Sequence, residues 1–211
     1  MAEREGLAPP ASREAATTPG VQAPVIADPG PLGLAAFALT TFVLSMINSG
    51  LVSDTAVPVV FGLALAYGGT AQLLAGMWEF RKGNTFGATA FSSFGAFWIS
   101  YWALVTFFLK DIPKTEAGAA VGLYLIAWGI FTAYMFIASL RTTAAIAVVF
   151  ILLAVTFFLL GFGEANASTS LVKLGGWVGL ATAIAAWYAS FAGVTNATFG
   201  KVVLPVKPLA R

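Results

Sequence analysis

The sequence predicts an all-α membrane protein with six transmembrane helices and with both termini in the cytoplasm. Its composition suits lipid as the solvent: 59% of the residues are hydrophobic and 9% are charged, whereas soluble domains are about half apolar and about a quarter charged. The apolar residues also come in blocks of roughly 20, the length of helix that crosses about 30 Å of hydrocarbon.

Each apolar block ends where charged residues or prolines begin. The predicted spans are residues 32–51, 56–78, 85–109, 118–140, 143–162 and 174–194. We expect helices because in hydrocarbon only a helix satisfies its own backbone N–H and C=O groups within one segment. A barrel is the alternative, but continuous apolar runs such as residues 144–160 lack the alternation that barrel strands need.

The membrane domain is predicted to cover residues 28–200, between two tails. Residues 1–27 contain four prolines and few large apolar side chains, which predicts a disordered tail. No basic start followed by an apolar core occurs there, so no signal peptide is predicted. Residues 201–211, with Pro205 and Pro208, form a short polar tail.

The distribution of Lys and Arg predicts the orientation. One set of tails and loops carries Arg4, Arg13, Arg81, Lys82, Arg141, Lys201, Lys207 and Arg211, and the other carries Lys110, Lys114 and Lys173. Because cytoplasmic loops are enriched in basic residues, the count of eight against three predicts that both termini lie in the cytoplasm. The expected location is a cytoplasmic (plasma or inner) membrane.

Composition also argues against several functions. The chain has no Cys and no His, so thiol nucleophiles, imidazole bases and the commonest metal and haem ligands are lacking, and no metal or cofactor is predicted. No acidic residue lies mid-helix to activate a serine, so an enzyme is not predicted. Basic residues are scattered rather than gathered in a stripe, so nucleic acid is not an expected partner.

A pathway through these helices would be lined by uncharged groups, because no charged residue lies in the middle of a predicted span. The polar candidates are Thr40, Thr41, Ser45, Asn48, Thr70, Gln72, Ser92, Ser93, Ser100, Thr132 and Thr156. A hydroxyl in a membrane helix also commonly bonds its own i−4 carbonyl or a neighbouring helix. Asn48 and Gln72 are stronger candidates, since a mid-membrane amide has four hydrogen-bonding sites to satisfy.

Three further features leave alternatives open. Glu79 ends the second span and is either a solvated helix terminus or a carboxylate at the mouth of a pathway that could exchange protons. Trp98 lies well inside the third span and either packs in the core or forms an apolar wall. The pair Gly68-Gly69, after Tyr67, could loosen the second helix near the membrane centre.

Small-xxx-small spacing of Gly83 with Gly87, Gly118 with Gly122 and Gly175 with Gly179 suggests close helix packing.

Several segments together resemble one family. Residues 28–34 read Asp-Pro-Gly-Pro-Leu-Gly-Leu, residues 67–72 read Tyr-Gly-Gly-Thr-Ala-Gln, residues 82–87 read Lys-Gly-Asn-Thr-Phe-Gly and residues 128–132 read Trp-Gly-Ile-Phe-Thr. These segments are similar to those of the acetate uptake transporter family, which includes the succinate–acetate permeases. In the first of these segments, five of the seven residues 28–34 match the family's motif, and the two differences are Asp28 in place of Asn and Gly30 in place of Ala.

The resemblance implies a six-helix protomer, commonly assembled as a homo-hexamer with one pathway per protomer, that passes acetate and in some members succinate. It places a pore constriction at Phe37, Phe94 and Leu153, where relatives often have Tyr in place of Phe94. From the residues themselves we predict a substrate pathway along Thr40, Thr41, Asn48, Tyr67, Gln72, Trp98, Thr132 and Thr156. The alternatives are a path for ammonia or ammonium and an acetate sensor without flux.

Overall fold

A computed structural model describes residues 26–209, which form six long helices. These are α1 (Gly30–Asn48), α2 (Asp54–Lys82), α3 (Thr85–Asp111), α4 (Lys114–Ser139), α5 (Ala144–Ala165) and α6 (Thr169–Phe199). Each is long and apolar enough to span a membrane. The prediction of six spans is therefore confirmed, and among the described residues the nearest approach to a sheet is an isolated bridge between Thr143 and Pro208.

The helices extend beyond the predicted spans, most clearly in α6. It has 31 residues, which correspond to about 46 Å of helix against about 30 Å of hydrocarbon. The side chain of Ser168 accepts a hydrogen bond from the Leu171 N–H at the start of α6, and Gly200, with φ +65°, ends it. Hydropathy detects the apolar part of a helix, whereas these capping groups determine where it ends.

The helix α2 is irregular in the middle, as the Gly68-Gly69 pair suggested. Residues Ala66–Ala71 form a π-helix between α-helical segments at Pro58–Leu65 and Gln72–Lys82. The Thr70 hydroxyl donates to the Leu65 carbonyl, five residues earlier, at 2.8 Å. The two glycines are buried, so the wider turn lies where α2 meets its neighbours.

The helices form a closed bundle in which α1 packs on α6, α6 on α5, α5 on α4, and α2 on α1 and α3. The backbones of α3 and α4 approach each other less closely, and aromatic rings such as Phe97 and Trp128 fill the seam between them. Large side chains such as Leu123 and Ile137 are exposed on the outside of the bundle, where lipid would cover them.

Two of the three small-xxx-small pairs lie at helix contacts. A Cβ atom at Gly122 would lie 2.7 Å from the Gly161 carbonyl oxygen in α5, and one at Gly175 would lie 2.8 Å from the Leu160 side chain. The prediction is wrong for Gly83 and Gly87, because Gly83 has φ +78° and ends α2, while Gly87 belongs to α3. Spacing alone does not show that a helix stops between two residues.

Both ends of the described chain lie at the same end of the bundle, since Asp28 and Val206 line one cavity. Of the predicted N-terminal tail (residues 1–27), all but the last two residues lie outside the described part. Residues 201–209, predicted as a polar tail, lie along the bundle: the Ala144 N–H donates to the Lys207 carbonyl at 2.8 Å, and the Leu209 N–H to the Thr142 carbonyl at 2.9 Å. We call residues 201–209 the C-terminal strap.

Candidate functional site

Phe37, Phe94 and Leu153 come from α1, α3 and α5 and are 4%, 3% and 4% exposed. The Phe37 and Phe94 ring centroids are 5.9 Å apart. Phe94 lies in an aromatic cluster, with the Phe131 centroid at 5.4 Å and the Phe157 centroid at 6.4 Å. We call Phe37, Phe94 and Leu153 the apolar constriction, because a cavity lies on either side of this level of the bundle.

The distal cavity, on the side away from the termini, has a volume of about 260 Å³ and reaches Phe37 and Leu153 of the constriction. The terminal cavity, of about 320 Å³, lies on the side of Asp28 and Val206. Leu34, Phe91 and Phe150, each three residues before a constriction residue on its own helix, line the terminal cavity. Since three residues are nearly one helical turn, Phe37, Phe94 and Leu153 lie between the two cavities.

The wall that α1 contributes to the distal cavity is polar. Thr41, Ser45 and Asn48 follow Phe37 at four, eight and eleven residues, and all line the cavity. This spacing keeps them on one face of the helix. The facing walls are mostly apolar, and they include the aromatic residues Phe97, Trp98, Tyr101 and Tyr124 from α3 and α4 and Phe157 from α5.

The terminal cavity carries charge at its mouth, because Asp28, Glu79 and Lys82 all line it. Lys82 Nζ lies 2.8 Å from Asp28 Oδ1, and both side chains are partly exposed. Glu79 is 1% exposed, so it is not the solvated helix terminus that was one of its two interpretations. Its Oε2 accepts a hydrogen bond from Asn84 Nδ2 at 2.8 Å.

The turn between α2 and α3 positions Glu79. Gly83 adopts a left-handed backbone (φ +78°) that ends α2, a conformation that glycine tolerates without strain. Asn84 then caps α3, because its Oδ1 accepts from the Gly87 N–H at 3.1 Å, while its Nδ2 donates to Glu79. A Cβ atom at residue 87 would lie 2.6 Å from Asn84 Nδ2 and 2.8 Å from Glu79 Cδ, so a larger residue there would displace the two side chains from this arrangement.

The sequence-derived pathway residues fall into two groups. Thr41, Asn48, Trp98 and Thr156 line the distal cavity and Glu79 lines the terminal cavity. Thr40, Tyr67, Gln72 and Thr132 line neither. Thr40 and Thr132 instead donate to the Ala36 and Trp128 carbonyls at 2.9 and 2.7 Å, and Gln72 is 1% exposed.

Several lining residues were not singled out from the sequence. Phe97 and Tyr101 follow Phe94 by three and seven residues, and Phe157 follows Leu153 by four, so helical spacing from the constriction could have identified them. Tyr124 could not have been found this way. Its hydroxyl lies 2.7 Å from Ser100 Oγ and donates to the Phe97 carbonyl at 3.1 Å, which joins α4 to α3.

The described residues 26–209 contain no group of three or more His, Cys, Asp or Glu side chains that could hold a metal ion. The two cavities offer hydroxyls, amides and aromatic rings, together with the Glu164 carboxylate in the distal cavity and two carboxylates and one ammonium at the terminal mouth. Such groups bind and guide a small solute through hydrogen bonds and apolar contact.

A bundle of six membrane helices, with two cavities separated by an apolar constriction, defines a multi-pass membrane protein of the channel and transporter class. The profile of the GPR1/FUN34/yaaH family matches residues 14–211. The chain belongs to that family.

Three curated relatives show what the family includes. Acetate permease A of Emericella nidulans is 42% identical over 96% of this chain and 74% of its own length. Ammonia transport outward protein 2 of Saccharomyces cerevisiae is 42% identical over 81% of this chain and 62% of its own. The succinate-acetate/proton symporter SatP of Escherichia coli K12 is 37% identical over 86% of this chain and 95% of its own.

A solved structure has the same fold. The bacterial acetate channel SatP superposes with a TM-score of 0.81 at 36% sequence identity, covering 86% of this chain and 99% of that one. The part of this chain that aligns with SatP therefore forms a complete bundle of this type.

Proposed function

We propose that this protein is a channel or permease that carries acetate, or a similar small monocarboxylate, across the membrane through the apolar constriction. The observation that carries the proposal is the arrangement of the terminal and distal cavities on either side of Phe37, Phe94 and Leu153. Relatives named as an acetate permease, a succinate-acetate/proton symporter and an acetate channel support the substrate class.

The lining suits a small carboxylate. Acetate resembles the side chain of Asp and is ionised at neutral pH. The distal cavity offers it neutral donors from Thr41, Ser45 and Asn48, which bind an anion without trapping it, as conduction requires. The constriction is lined by large apolar side chains, so it excludes bulky solutes, and succinate would pass only if it fits the same opening.

Glu79 is the candidate for proton-linked transport. Its carboxylate lines the terminal cavity, is almost fully buried and is bonded by the Asn84 amide. A buried carboxylate that reaches a pathway can exchange protons with it. The relatives' names include both a proton symporter and a channel. In this chain, symport would require Glu79 to bind and release a proton with each substrate, whereas a channel would not.

Ammonia transport is the second candidate function, and the yeast relative's name favours it. A neutral ammonia molecule would also pass an apolar constriction. The polar wall of α1 suits a carboxylate better than ammonia, because its hydroxyl and amide N–H groups donate hydrogen bonds to an anion. A sensor that binds acetate without flux is the third alternative, and measurement of flux separates it from the other two.

We further propose that the terminal cavity faces the cytoplasm and that the protein assembles as a homo-hexamer in a cytoplasmic membrane. The orientation rests on the sequence, which has eight basic residues in the tails and loops predicted to be cytoplasmic and three in the others. The hexamer rests on the resemblance to acetate uptake transporters. Each protomer has its own pair of cavities, so each would contain a separate pathway.

Reconstitution into liposomes tests these proposals. Entry of labelled acetate is compared with entry of ammonium and succinate at two pH values, with and without an imposed voltage. We expect acetate to enter fastest, and voltage-driven entry without acidification of the interior would identify a channel. Entry of ammonium alone would replace the carboxylate proposal by the second candidate, and flux of none of the three would remove the transport function.

A further inference from the structure

Two buried donors lie one helical turn beyond the constriction, at the near end of the distal cavity. Thr41 follows Phe37 by four residues on α1, and Trp98 follows Phe94 by four residues on α3. Residues four apart occupy the same face of a helix, so each donor residue stands over a constriction residue. Both Thr41 and Trp98 line the distal cavity, from different helices.

Thr41 differs from the other buried threonines of the described chain. Thr40, Thr132, Thr156 and Thr182 each donate to the carbonyl four residues earlier, at 2.7–2.9 Å. Thr41 is 6% exposed, yet its Oγ1 has no hydrogen-bond partner among residues 26–209. The usual local partner is thus unused at Thr41, whereas Thr156, which also lines the distal cavity near Leu153, uses it.

Trp98, which lines the distal cavity from α3, also has an unpaired donor in the described bundle. It is 2% exposed, and its Nε1 has no hydrogen-bond partner within the described part of the chain. The indole N–H can only donate. A buried donor left unpaired is costly and in most proteins is satisfied, so two such donors at one level of a cavity indicate a ligand with acceptor atoms.

We infer that the Thr41 hydroxyl and the Trp98 indole N–H hold the carboxylate of a substrate directly beyond the constriction. This inference rests on the proposed function and assigns its specificity to two residues. Hydrogen bonds to a charged oxygen are about twice as strong as neutral ones, so an anion satisfies both donors better than a neutral solute of equal size. The substrate's methyl group then lies against apolar residues of the same cavity, such as Leu153 and Phe157.

The test measures acetate flux against concentration in liposomes that contain the full chain. Thr41→Val keeps the shape of the side chain and removes the hydroxyl, and we expect it to raise the half-saturating acetate concentration about tenfold, the loss of one hydrogen bond to a charged group. Trp98→Phe is expected to act in the same direction. Thr41→Ser keeps the hydroxyl, so its half-saturating acetate concentration is expected to stay within about twofold of that of the wild-type protein.

Thr182→Val is the matched control, because Thr182 is also buried and lines neither cavity. We expect it to leave half-saturation unchanged. Wild-type half-saturation in both Thr41→Val and Trp98→Phe, in liposomes where the wild-type protein transports acetate, would overturn this inference and leave the proposed function standing. A wild-type protein that carries no acetate would overturn both. Equal elution of all variants on size-exclusion chromatography checks that they fold, and Thr41→Ser separates loss of the hydroxyl from a change of packing.

Discussion

Gly68 in the π-helical turn of α2 packs directly on Thr40 in α1, so closely that a Cβ atom at residue 68 would lie 2.5 Å from the Thr40 hydroxyl oxygen. Thr40 is fully buried and its hydroxyl is already bonded to the Ala36 carbonyl, so it has little room to move. This contact fixes α2 against the helix that carries Phe37 and Thr41.

Gly68→Ala is therefore expected to destabilise the bundle by about 1–3 kcal/mol, the usual cost of overpacking a core. Thermal unfolding of the detergent-solubilised protein measures the change. Gly62→Ala on the same helix is the control, because a Cβ atom there meets nothing within 4 Å. Equal stability of the two variants would contradict the close contact.

Truncation of the constriction is expected to widen the pathway. Phe94→Ala or Leu153→Ala removes a side chain that is nearly fully buried at this level, so butyrate should enter several-fold faster relative to acetate. The measurement is the ratio of the two fluxes in liposomes. Phe191→Ala, at a position 61% exposed on the outside of α6, should leave the ratio unchanged, and an unchanged ratio in both constriction variants would place the narrow point elsewhere.

Lys82 is expected to aid the approach of anions to the terminal cavity. Without it, the charged residues that line this cavity are Asp28 and Glu79 alone. Lys82→Ala should therefore slow acetate flux, on the order of threefold at low ionic strength. The difference should disappear near 1 M salt, where the screening length is about 3 Å.

Arg81→Ala is the control for that experiment. It removes the same charge from the neighbouring residue, which is exposed and does not line the cavity. Slowing of flux to the same extent in both variants would show that net charge, rather than the position of Lys82, is responsible.

The six spans could be predicted from the sequence because every turn of a helix that crosses lipid must be largely apolar, and a run of about 20 apolar residues shows this directly. The sequence predicted the constriction only through resemblance, since Phe37, Phe94 and Leu153 are ordinary apolar residues among many. Hydrogen-bond partners could not be predicted: Thr40 and Thr41 are adjacent and identical, yet the Thr40 hydroxyl is bonded to its own helix and the Thr41 hydroxyl is not. Which of them faces the cavity depends on the rotation of α1 in the bundle.

The C-terminal strap was not predicted either. Its backbone contacts with Thr142 and Ala144 join residues distant in the chain, and it is also held by a nearby side chain. Asn196 Oδ1 accepts from the Val203 and Leu204 N–H groups at 2.7 and 2.9 Å, and its Nδ2 donates to the Leu204 carbonyl. Side chains such as Val202 are largely exposed, so hydrogen bonds rather than apolar burial hold the strap.

Asn196→Ala is accordingly expected to lower the free energy of opening the strap by about 2 kcal/mol. Hydrogen–deuterium exchange should then be roughly 30-fold faster in peptides that cover residues 203–204. Asn166→Ala, which removes a hydrogen bond to the Phe162 carbonyl at the other end of the bundle, should not affect these peptides. Unchanged exchange in Asn196→Ala would show that other contacts hold the strap.

The most direct test of the pathway uses the absence of cysteine from this chain. Leu153→Cys introduces a single thiol at the constriction, and Ile151→Cys introduces one on the outside of the same helix, where the residue is 40% exposed. A small charged thiol reagent should stop acetate flux through Leu153→Cys protein and leave the wild-type and Ile151→Cys proteins unaffected. Leu153→Cys protein that mass spectrometry shows to be fully modified, and that still passes acetate at its unmodified rate, would contradict a pathway through this constriction.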